Sequence, residues 1–317
     1  MTTTTTLTTQ DNSETGILPP AIAPTSKRKA RVARALVFPA LFISIALTQI
    51  PFLVTIVVSF LNWNQLRPND ISFAGLSNYI SVFTTGDFLE ALIATVTITG
   101  SAVILSLLLG LGFAMLLDRK FLGQGVVRTL MITPFLVMPA AAALIWKYSM
   151  LDVNVGMVNV ALNAIGLPSV AWNTDLPVAT IIILLTWQFT PFFMLILLAG
   201  LQSQSKEVLE AASVDGAGAV RTFRFMTLPH LRQYIEIATL LGGIMLLQMF
   251  DPIAIMTKGT GGTKTLPYLL YERAFIGLDI GQAAAFGVIT VIITIGAATL
   301  ALRSLFKVFV EGEVRDA

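Results

Sequence analysis

A segment rich in glycine and threonine near the end of the chain has the composition of a phosphate-binding loop. It reads Gly259-Thr260-Gly261-Gly262-Thr263-Lys264-Thr265. A phosphate loop of pattern GxxxxGK[ST] follows a strand and needs a glycine directly before its lysine. This chain has Thr263 at that place, and no strand is expected before the segment. We therefore do not interpret it as a nucleotide site.

The sequence predicts neither a metal site nor thiol chemistry. The chain has no cysteine, which excludes disulfides and thiolate metal sites. Its one histidine, His230, has no cluster of further ligands around it, as a metal site would need. Gly110 and Gly112 form an isolated G-x-G, which close helix packing explains better than cofactor binding. We expect neither a metal nor a cofactor in this chain.

The composition is that of a polytopic membrane protein. The 317 residues are 55% hydrophobic and only 12% charged, with a mean hydropathy of +0.81. Soluble domains carry about 25% charged residues. The net charge of +2 is too small to indicate a nucleic-acid partner. We predict an all-α membrane protein.

Six stretches with few or no charges are candidates for membrane-spanning helices, which need about 20 apolar residues. They cover residues 35–61, 91–117, 129–146, 176–201, 237–257 and 280–302. Residues 1–26 are rich in threonine with scattered proline, and we predict a disordered tail there. Residues 27–317 are then one six-span domain.

Lysine and arginine are distributed unequally between the two sides of these spans. If the N-terminus is cytoplasmic, the segments on its side carry roughly three times as many of them as the opposite loops. The bias predicts that both termini are cytoplasmic. It also places the loop between spans 4 and 5, residues 203–232, on the cytoplasmic side.

This cytoplasmic loop has the pattern of two short helices. Ser205–Val214 reads as a helix with Ser205 as N-cap and Glu207 in its first turn, which suits the helix dipole. Gly216 allows a sharp exit from that helix. A second amphipathic piece from Ala219 is expected to end at Pro229.

The same loop carries the most specific resemblance in the chain. Glu210-Ala211-Ala212, three residues, Gly216, nine residues and then Met226-Thr227-Leu228-Pro229 resembles the EAA loop of ABC importer permeases. The family pattern is EAA, three residues, G, nine residues and I-x-L-P, so that only Met226 departs from it. Asp215-Gly216-Ala217 also resembles a common form of the loop.

Three further segments resemble the carbohydrate-importer permeases within that family. Gly75-Leu76-Ser77-Asn78-Tyr79 is similar to their GLxNY segment. The set Gly156, Asn159, Leu162 and Trp172 is similar to their G-x-x-N-x-x-L…W pattern. Phe250-Asp251 followed by Thr257 is similar to their F-D-x5-T segment, although the T-x-G-G-P ending is offset here and lacks its proline.

The resemblance implies a type I ABC importer permease fold with six spans and a cytoplasmic coupling helix between spans 4 and 5. It implies a bacterial plasma-membrane subunit that is not itself an enzyme and that carries a sugar or sugar alcohol. The implied partners are a second, homologous permease, two ATPase subunits that bind ATP and magnesium, and an extracytoplasmic binding protein. The residues implied in ATPase coupling are Glu210, Ala211, Ala212, Asp215, Gly216, Leu228 and Pro229. Glu210 is expected to brace the loop through a salt bridge to Arg221 or Arg224.

Polar and aromatic residues within the spans are candidates for lining the sugar path. They are Gln188, Thr190, Gln248, Phe250 and Asp251. Asp251 is the one carboxylate in an otherwise uncharged span, and ionisable groups there are costly and mark functional sites. A structural role for Asp251, as a cap where Pro252 breaks the helix, remains open beside the path role.

Two alternatives to a sugar importer are also considered. The EAA loop is shared with importer permeases for other solutes, such as polyamines or phosphate. An ion-coupled secondary transporter would normally show paired intramembrane charges or an inverted repeat. The sequence shows one intramembrane carboxylate and no evident repeat.

Overall fold

The computed structural model describes the backbone of residues 27–315 and the side chains of residues 38–296 and 299. The predicted disordered tail, 1–26, lies outside the described residues. The chain divides into two compact units, Met1–Leu53 and Val54–Ala317. The first unit contributes the beginning of one long helix, and all the contacts given below lie within the second.

The described part is almost entirely helical. The α-helices are α1 (Lys27–Ser59), α2 (Ser77–Thr84), α3 (Asp87–Leu117), α4 (Gln124–Leu136), α5 (Pro139–Leu144), α6 (Met157–Ala164), α7 (Trp172–Asp175), α8 (Pro177–Ser203), α9 (Lys206–Val214), α10 (Ala219–Thr222), α11 (Leu228–Leu247), α12 (Leu266–Tyr271) and α13 (Ile280–Arg315). Four π-helical turns cover Ile145–Met150, Phe223–Thr227, Ile253–Thr257 and Glu272–Ile276. Two short strands, β1 (Leu61–Asn62) and β2 (Ser72–Phe73), pair antiparallel with Leu61 opposite Phe73.

Within the described residues, three helices are long and apolar enough to cross a membrane. They are Phe38–Ser59 of α1, Asp87–Leu117 and Pro177–Ser203. The predicted spans 35–61, 91–117 and 176–201 correspond to these helices. A bent pair, Gln124–Leu136 with Pro139–Met150, raises the number to four if it counts as one span. The six-span count stays a prediction.

The predicted span 129–146 is not one continuous helix. Its two halves meet at an angle of 93°. Val137 and Met138 are extended at the break, with ψ values of 131° and 134°. Pro139 explains this, because the ring of a proline disfavours the helical conformation of the residue before it. The predicted third span is therefore a bent pair of helices and not one straight helix.

The predicted span 237–257 is also interrupted. Helix α11 ends at Leu247, and helical structure resumes only beside Pro252. At its other end, α11 follows α10 and the π-helical turn Phe223–Thr227 without a gap. Pro229 lies in the first turn of α11, where its missing N–H is tolerated. The second piece of the loop thus does not end at Pro229, as expected, but runs into the fifth helix.

The main core is formed by α3 packed against α8. A Cβ atom at Gly110 would lie 2.9 Å from the backbone nitrogen of Met194 and from Cβ of Phe193, so glycine is required for this approach. The packing role predicted for Gly110 is confirmed. Gly112 has no such neighbour within 4 Å in the described part of the chain, and its packing role stays a prediction. The tight α3–α8 contact fixes the frame on which the loops and broken helices are held.

Candidate functional site

The loop between α8 and α11 begins with the short helix predicted for it. Helix α9 covers Lys206–Val214, with Ser205 extended at the N-cap and Glu207 in the first turn. The Ser205 side chain forms no capping hydrogen bond. The helix itself and its start are therefore confirmed, but the backbone N–H groups of the first turn are not capped by this serine.

Gly216 ends α9 in the left-handed conformation, with φ of +80°. The N–H of Ala217 donates to the carbonyl of Ala212 at 2.9 Å, and the N–H of Gly216 donates to Ser213 at 3.1 Å. This pair of bonds is a Schellman motif, which favours glycine at this position. A Cβ at Gly216 would meet nothing within 4 Å. Glycine is therefore needed for its backbone conformation and not for space.

The outer surface of the loop is exposed and partly apolar. Glu210, Ala211 and Asp215 are exposed, whereas Ala212 is only 7% exposed and packs against its own chain. Large apolar side chains are also exposed around the loop. They include Val214 at 87%, Val220 at 82% and Phe225 at 60%. Exposed apolar side chains grouped at a polar end of a membrane protein mark a surface for a partner protein.

The expected salt bridge of Glu210 is absent. The ion pairs among the described residues join Arg232 to Glu236, Lys264 to Glu272 and Arg273 to Asp87. The Arg224 guanidinium instead lies over the ring of Phe225, 5.8 Å from its centroid. Because α9 and α10 are held by their own backbone turns, Glu210 is not needed as a brace. Its carboxylate faces solvent.

His230 ties the start of α11 to the end of α8. Its Nε2 lies 3.1 Å from the carbonyl oxygen of Gly200 and 3.0 Å from Oγ of Ser203. The same Oγ lies 2.8 Å from the hydroxyl of Tyr234. These contacts fix both ends of the loop to one place, so that α9 is presented from a rigid base.

Gln188, a predicted path residue, is buried beside the break in the third span. It is only 2% exposed, and its Nε2 donates to the carbonyl of Val137 at 2.9 Å. That carbonyl lies where α4 stops, so the glutamine satisfies a backbone group that the bend frees. Its Oε1 is buried without a partner among the described residues.

Thr190 is also buried, and its hydroxyl is already used. It is 5% exposed, and Oγ1 donates to the carbonyl of Thr186 at 2.6 Å, one turn back on the same helix. Its oxygen keeps acceptor capacity, but its donor is not available to a ligand.

The remaining three predicted path residues lie together at the break after α11. Gln248 follows the last residue of α11 and is exposed. The ring of Phe250 lies 4.9 Å from that of Tyr271, between centroids. Asp251 is half-buried and forms no hydrogen bond or ion pair within the described residues. The structure thus gives no capping bond to this carboxylate.

Tyr268 adds a third aromatic ring at this break, beside Phe250 and Tyr271. Its ring centroid lies 6.1 Å from that of Phe250, in a stacked arrangement. Burial, followed by the nearby charge of Glu272, raises the pKa of the Tyr268 hydroxyl above its ordinary value. It is therefore a neutral hydrogen-bonding group at physiological pH.

Lys147 is a functional candidate that the sequence did not indicate. It directly follows the predicted span 129–146, and it lies in the π-helical turn Ile145–Met150. Its Nζ donates to the carbonyl of Ile255 at 2.6 Å. It thereby connects the broken third span to the broken fifth span. The one available signal was a lysine inside an apolar run that contains two prolines.

The G-x-x-N…W pattern forms one hydrogen-bonded unit between the π-helical turn Ile145–Met150 and α8. Asn159 is 1% exposed and donates to the carbonyls of Asp152 and Val170, each at 3.0 Å. Its Oδ1 accepts from the backbone N–H of Val170 at 3.0 Å and from Nε1 of Trp172 at 3.2 Å. A Cβ at Gly156 would lie 2.4 Å from the Asp152 oxygen. The pattern is therefore a structural lock.

The GLxNY segment locks the end of α1 in a similar way. Asn78 donates to the carbonyls of Ser59 and Leu61, each at 2.9 Å. The Tyr79 hydroxyl lies 2.6 Å from Oγ of Ser59. A Cβ at Gly281 would lie 2.2 Å from the Leu61 oxygen, so α13 approaches this lock closely.

The segment that resembled a phosphate loop is a compact turn. Lys258, Gly259, Gly261 and Gly262 all have positive φ. Oγ1 of Thr257 lies 2.7 Å from Oγ1 of Thr263, which closes the turn internally. A Cβ at Gly259 would lie 2.4 Å from the Tyr268 ring. The glycines allow close packing against the aromatic cluster.

Fold and site together define a helical, multi-pass membrane protein. The chain belongs to the family of binding-protein-dependent transport system inner membrane components, whose model matches residues 102–311. A probable ABC transporter permease protein, y4oQ of Sinorhizobium fredii, is 35% identical over 90% of this chain and 94% of its own length. The chain is therefore a transport subunit and not an enzyme, and its transport system depends on a separate binding protein.

Two further comparisons extend this result. The trehalose transport system permease protein SugA of Mycobacterium tuberculosis is 31% identical over 82% of this chain and 83% of its own length. The crystal structure of a bacterial ABC transporter involved in the import of the acidic polysaccharide alginate matches with a TM-score of 0.74. That match covers 88% of this chain and 96% of the other at 18% identity, and it shows the shared fold.

Proposed function

We propose that this chain is the permease subunit of an ATP-driven importer for a sugar or sugar alcohol. The observation that carries the proposal is the set of named relatives aligned over most of the chain. They are a trehalose permease, a trehalose/maltose permease of Thermococcus litoralis and sn-glycerol-3-phosphate permeases of Yersinia, at 30–31% identity. The GLxNY and G-x-x-N…W locks agree with this subclass.

In this proposal the chain crosses the membrane six times, with both termini in the cytoplasm. It forms the translocation path with a second, homologous permease. Two ATPase subunits, which bind ATP and magnesium, lie on the cytoplasmic side, and an extracytoplasmic binding protein delivers the solute. The distribution of lysine and arginine supports the orientation.

Helix α9 acts as the coupling helix in this scheme. Glu210, Ala211, Asp215 and Gly216 contact an ATPase subunit, and Leu228 and Pro229 join the loop to α11. Ala212, buried at 7% exposure, holds the helix to its own chain. The exposed valines and Phe225 supply apolar contact area, and the free Glu210 carboxylate supplies a charge for the partner.

The solute path is proposed at the break after α11. Gln248 and Asp251 have polar groups without partners in the described part, and Phe250 offers an aromatic face. A sugar presents hydroxyl groups and an apolar ring face, so this set suits it. Gln188 and Thr190 border the path and shape it, since their donors are bound to the backbone.

The first alternative is an importer permease for another class of solute. It differs from the proposed sugar permease only in the solute that its path binds. The sn-glycerol-3-phosphate relatives make a phosphorylated polyol the specific second candidate. An ion-coupled secondary transporter is not supported, because the chain belongs to the binding-protein-dependent family.

The decisive experiment uses the complete importer in proteoliposomes with Gly216→Val and, as a matched control, Gly218→Val. Gly216 has φ of +80°, whereas Gly218 has φ of −70°, and neither would meet a neighbour within 4 Å. Only the first substitution strains the backbone, by about 1–2 kcal/mol or more. We expect Gly216→Val to assemble but to lose uptake and binding-protein-stimulated ATP hydrolysis.

Uptake is measured with trehalose, maltose and sn-glycerol-3-phosphate, each with its loaded binding protein. Normal uptake by Gly216→Val would refute the coupling role of α9. Uptake of none of these solutes, in an importer whose ATPase is active, would refute the substrate class.

A further inference from the structure

A polar cavity of about 570 Å³ lies where α3 ends, α4 begins and α8 leads into α9. Its lining includes three cations, Lys120, Arg128 and Lys206, and one carboxylate, Asp118. None of these four groups belongs to an ion pair within the described residues. The cavity therefore carries excess positive charge that the chain itself does not neutralise.

One buried donor at the cavity lacks an acceptor, whereas the amide of Gln124 donates to the carbonyl of Leu117 at 2.6 Å. Nε of Arg128 is buried with no hydrogen-bond partner in the described part of the chain. A buried donor without an acceptor is unfavourable, so this atom calls for an acceptor from outside the chain. Helices α4 and α9 both begin here, and neither N-cap residue makes a side-chain capping bond. Two helix N-termini add to the preference for an anion.

An apolar groove of about 690 Å³ lies between the same three helices, with its lining on α4 beginning two residues after Arg128 of the cavity. It is lined by Leu105, Leu109 and Phe113 of α3, Met131 of α4, and Trp187 and Pro191 of α8, among others. Gln124, Arg128 and Met131 lie at i, i+4 and i+7 on α4, and therefore on one helix face. The first two line the cavity and the third lines the groove.

The groove has the depth of one membrane leaflet. Phe113 and Leu105 precede Asp118, at the cavity, by about 7 Å and 20 Å at 1.5 Å rise per residue. One leaflet of the hydrocarbon core is roughly 15 Å thick. Helix α3 is apolar up to Leu117, so the cavity lies at the level of the lipid headgroups.

We propose that the cavity and groove together bind an anionic phospholipid. The phosphate group accepts hydrogen bonds from Arg128 and is attracted by Lys120 and Lys206, and an acyl chain lies along the groove toward Leu105. Basic pockets between membrane helices are known sites for anionic headgroups. The proposal does not depend on which solute the protein transports.

Lys206 belongs both to the proposed lipid site and to α9, and so connects the two. Lys206 is the first residue of α9, and Gln204 beside it also lines the cavity. A bound headgroup would therefore hold the start of α9 against the ends of α3 and α4. Free inorganic phosphate offers the same charge, but it gives no reason for the adjoining groove.

The test is native mass spectrometry of the full chain in detergent, titrated with phosphatidylglycerol and, separately, phosphatidylcholine. We expect phosphatidylglycerol to bind more tightly. Arg128→Gln with Lys206→Gln is expected to lower its affinity about thirtyfold, from two lost charges at a headgroup. The matched control, Arg67→Gln with Lys258→Gln, removes the same charge from exposed sites away from the cavity and should leave affinity unchanged.

Two single variants protect the test against misfolding. Lys206→Gln changes an exposed residue and is expected to lower affinity about fivefold. Leu108→Trp fills the groove from an exposed position and keeps all three cations, so it should weaken phosphatidylglycerol binding by its bulk alone.

Four results would overturn the proposal. The first is equal affinity in the cavity variants and their control. The second is displacement of phosphatidylglycerol by inorganic phosphate, which would identify a free-anion site. The third is unchanged binding by Leu108→Trp. The fourth is loss of the lipid when the second permease joins, which would make the groove a subunit interface.

Discussion

The ammonium group of Lys147 donates a hydrogen bond to the carbonyl oxygen of Ile255 at 2.6 Å. Each residue lies in a π-helical turn: that of Lys147 follows the short helix α5, and that of Ile255 follows Pro252. π-Helical turns leave backbone carbonyls poorly paired and are frequent at functional sites. One side chain therefore holds two irregular segments in a fixed relation.

We predict that Lys147→Met weakens transport without preventing assembly. Methionine keeps most of the apolar stem but removes the charge-assisted bond, which is worth about 1.5–3 kcal/mol. The two irregular segments should then move independently, and uptake by the reconstituted importer should fall severalfold. Lys147→Arg is the control, because it retains a charged donor. Equal uptake by the methionine variant and the unmodified protein would contradict the prediction.

Gln188 makes a second test of the broken third span. In Gln188→Leu the Val137 carbonyl loses its donor, and we expect a loss of about 1–3 kcal/mol in the free energy of unfolding. Gln65→Leu, at an exposed glutamine, is the control and should change stability little. Thermal unfolding of the purified chain in detergent measures both. A stability unchanged by Gln188→Leu would show that water or another donor satisfies Val137.

The hydrogen-bonded unit around Asn159 depends on the two N–H donors of its side-chain amide. Asn159→Asp keeps an acceptor for Trp172 but removes both N–H bonds, to Asp152 and to Val170. We expect residues 151–175 to become sensitive to limited proteolysis while the spans stay folded. Asn163→Asp is the matched control, since Asn163 is exposed and bonds only to Ser169. Similar cleavage rates for both variants would exclude the lock.

The proposed path residues are tested by small changes of side chain. Gln248→Ala and Asp251→Asn should raise the KM for the solute, because each removes hydrogen-bonding capacity for a hydroxyl group, at about 0.5–1.5 kcal/mol per bond. Asp70→Asn, at an exposed aspartate, controls for charge. Kinetics of uptake at saturating binding protein separate KM from the maximal rate. Unchanged kinetics for both variants would remove these residues from the path.

The sequence was sufficient to predict the helices that depend on residues close together in the chain. Helix α9 begins directly after Ser205 as expected, although this serine makes no capping bond, and Gly216 ends it because a left-handed C-terminal glycine acts within one turn. The long apolar runs of α3 and α8 likewise correspond to helices. These features depend on neighbours in the sequence.

The remainder depends on contacts between distant residues. A proline at position 139 is compatible with a bend. The sequence does not show that Gln188 would donate to the carbonyl of Val137 at that bend. Lys147 lies just beyond the predicted span 129–146. The sequence does not show that its ammonium group would donate to the backbone carbonyl of Ile255. The brace expected for Glu210 failed for the same reason, since sequence proximity to Arg221 and Arg224 does not determine side-chain direction.

The continuity of helix from Ala219 to Leu247 has a mechanical consequence. At 1.5 Å per residue it forms a strut of roughly 40 Å, longer than the hydrocarbon core of a bilayer. Because the helical structure is unbroken, a displacement of its Ala219 end is expected to move Gln248 at the other end. In the proposed coupling scheme, inserting two glycines into the π-helical turn Phe223–Thr227 is expected to separate ATP hydrolysis from solute uptake, while α9 and the break after α11 keep their structure.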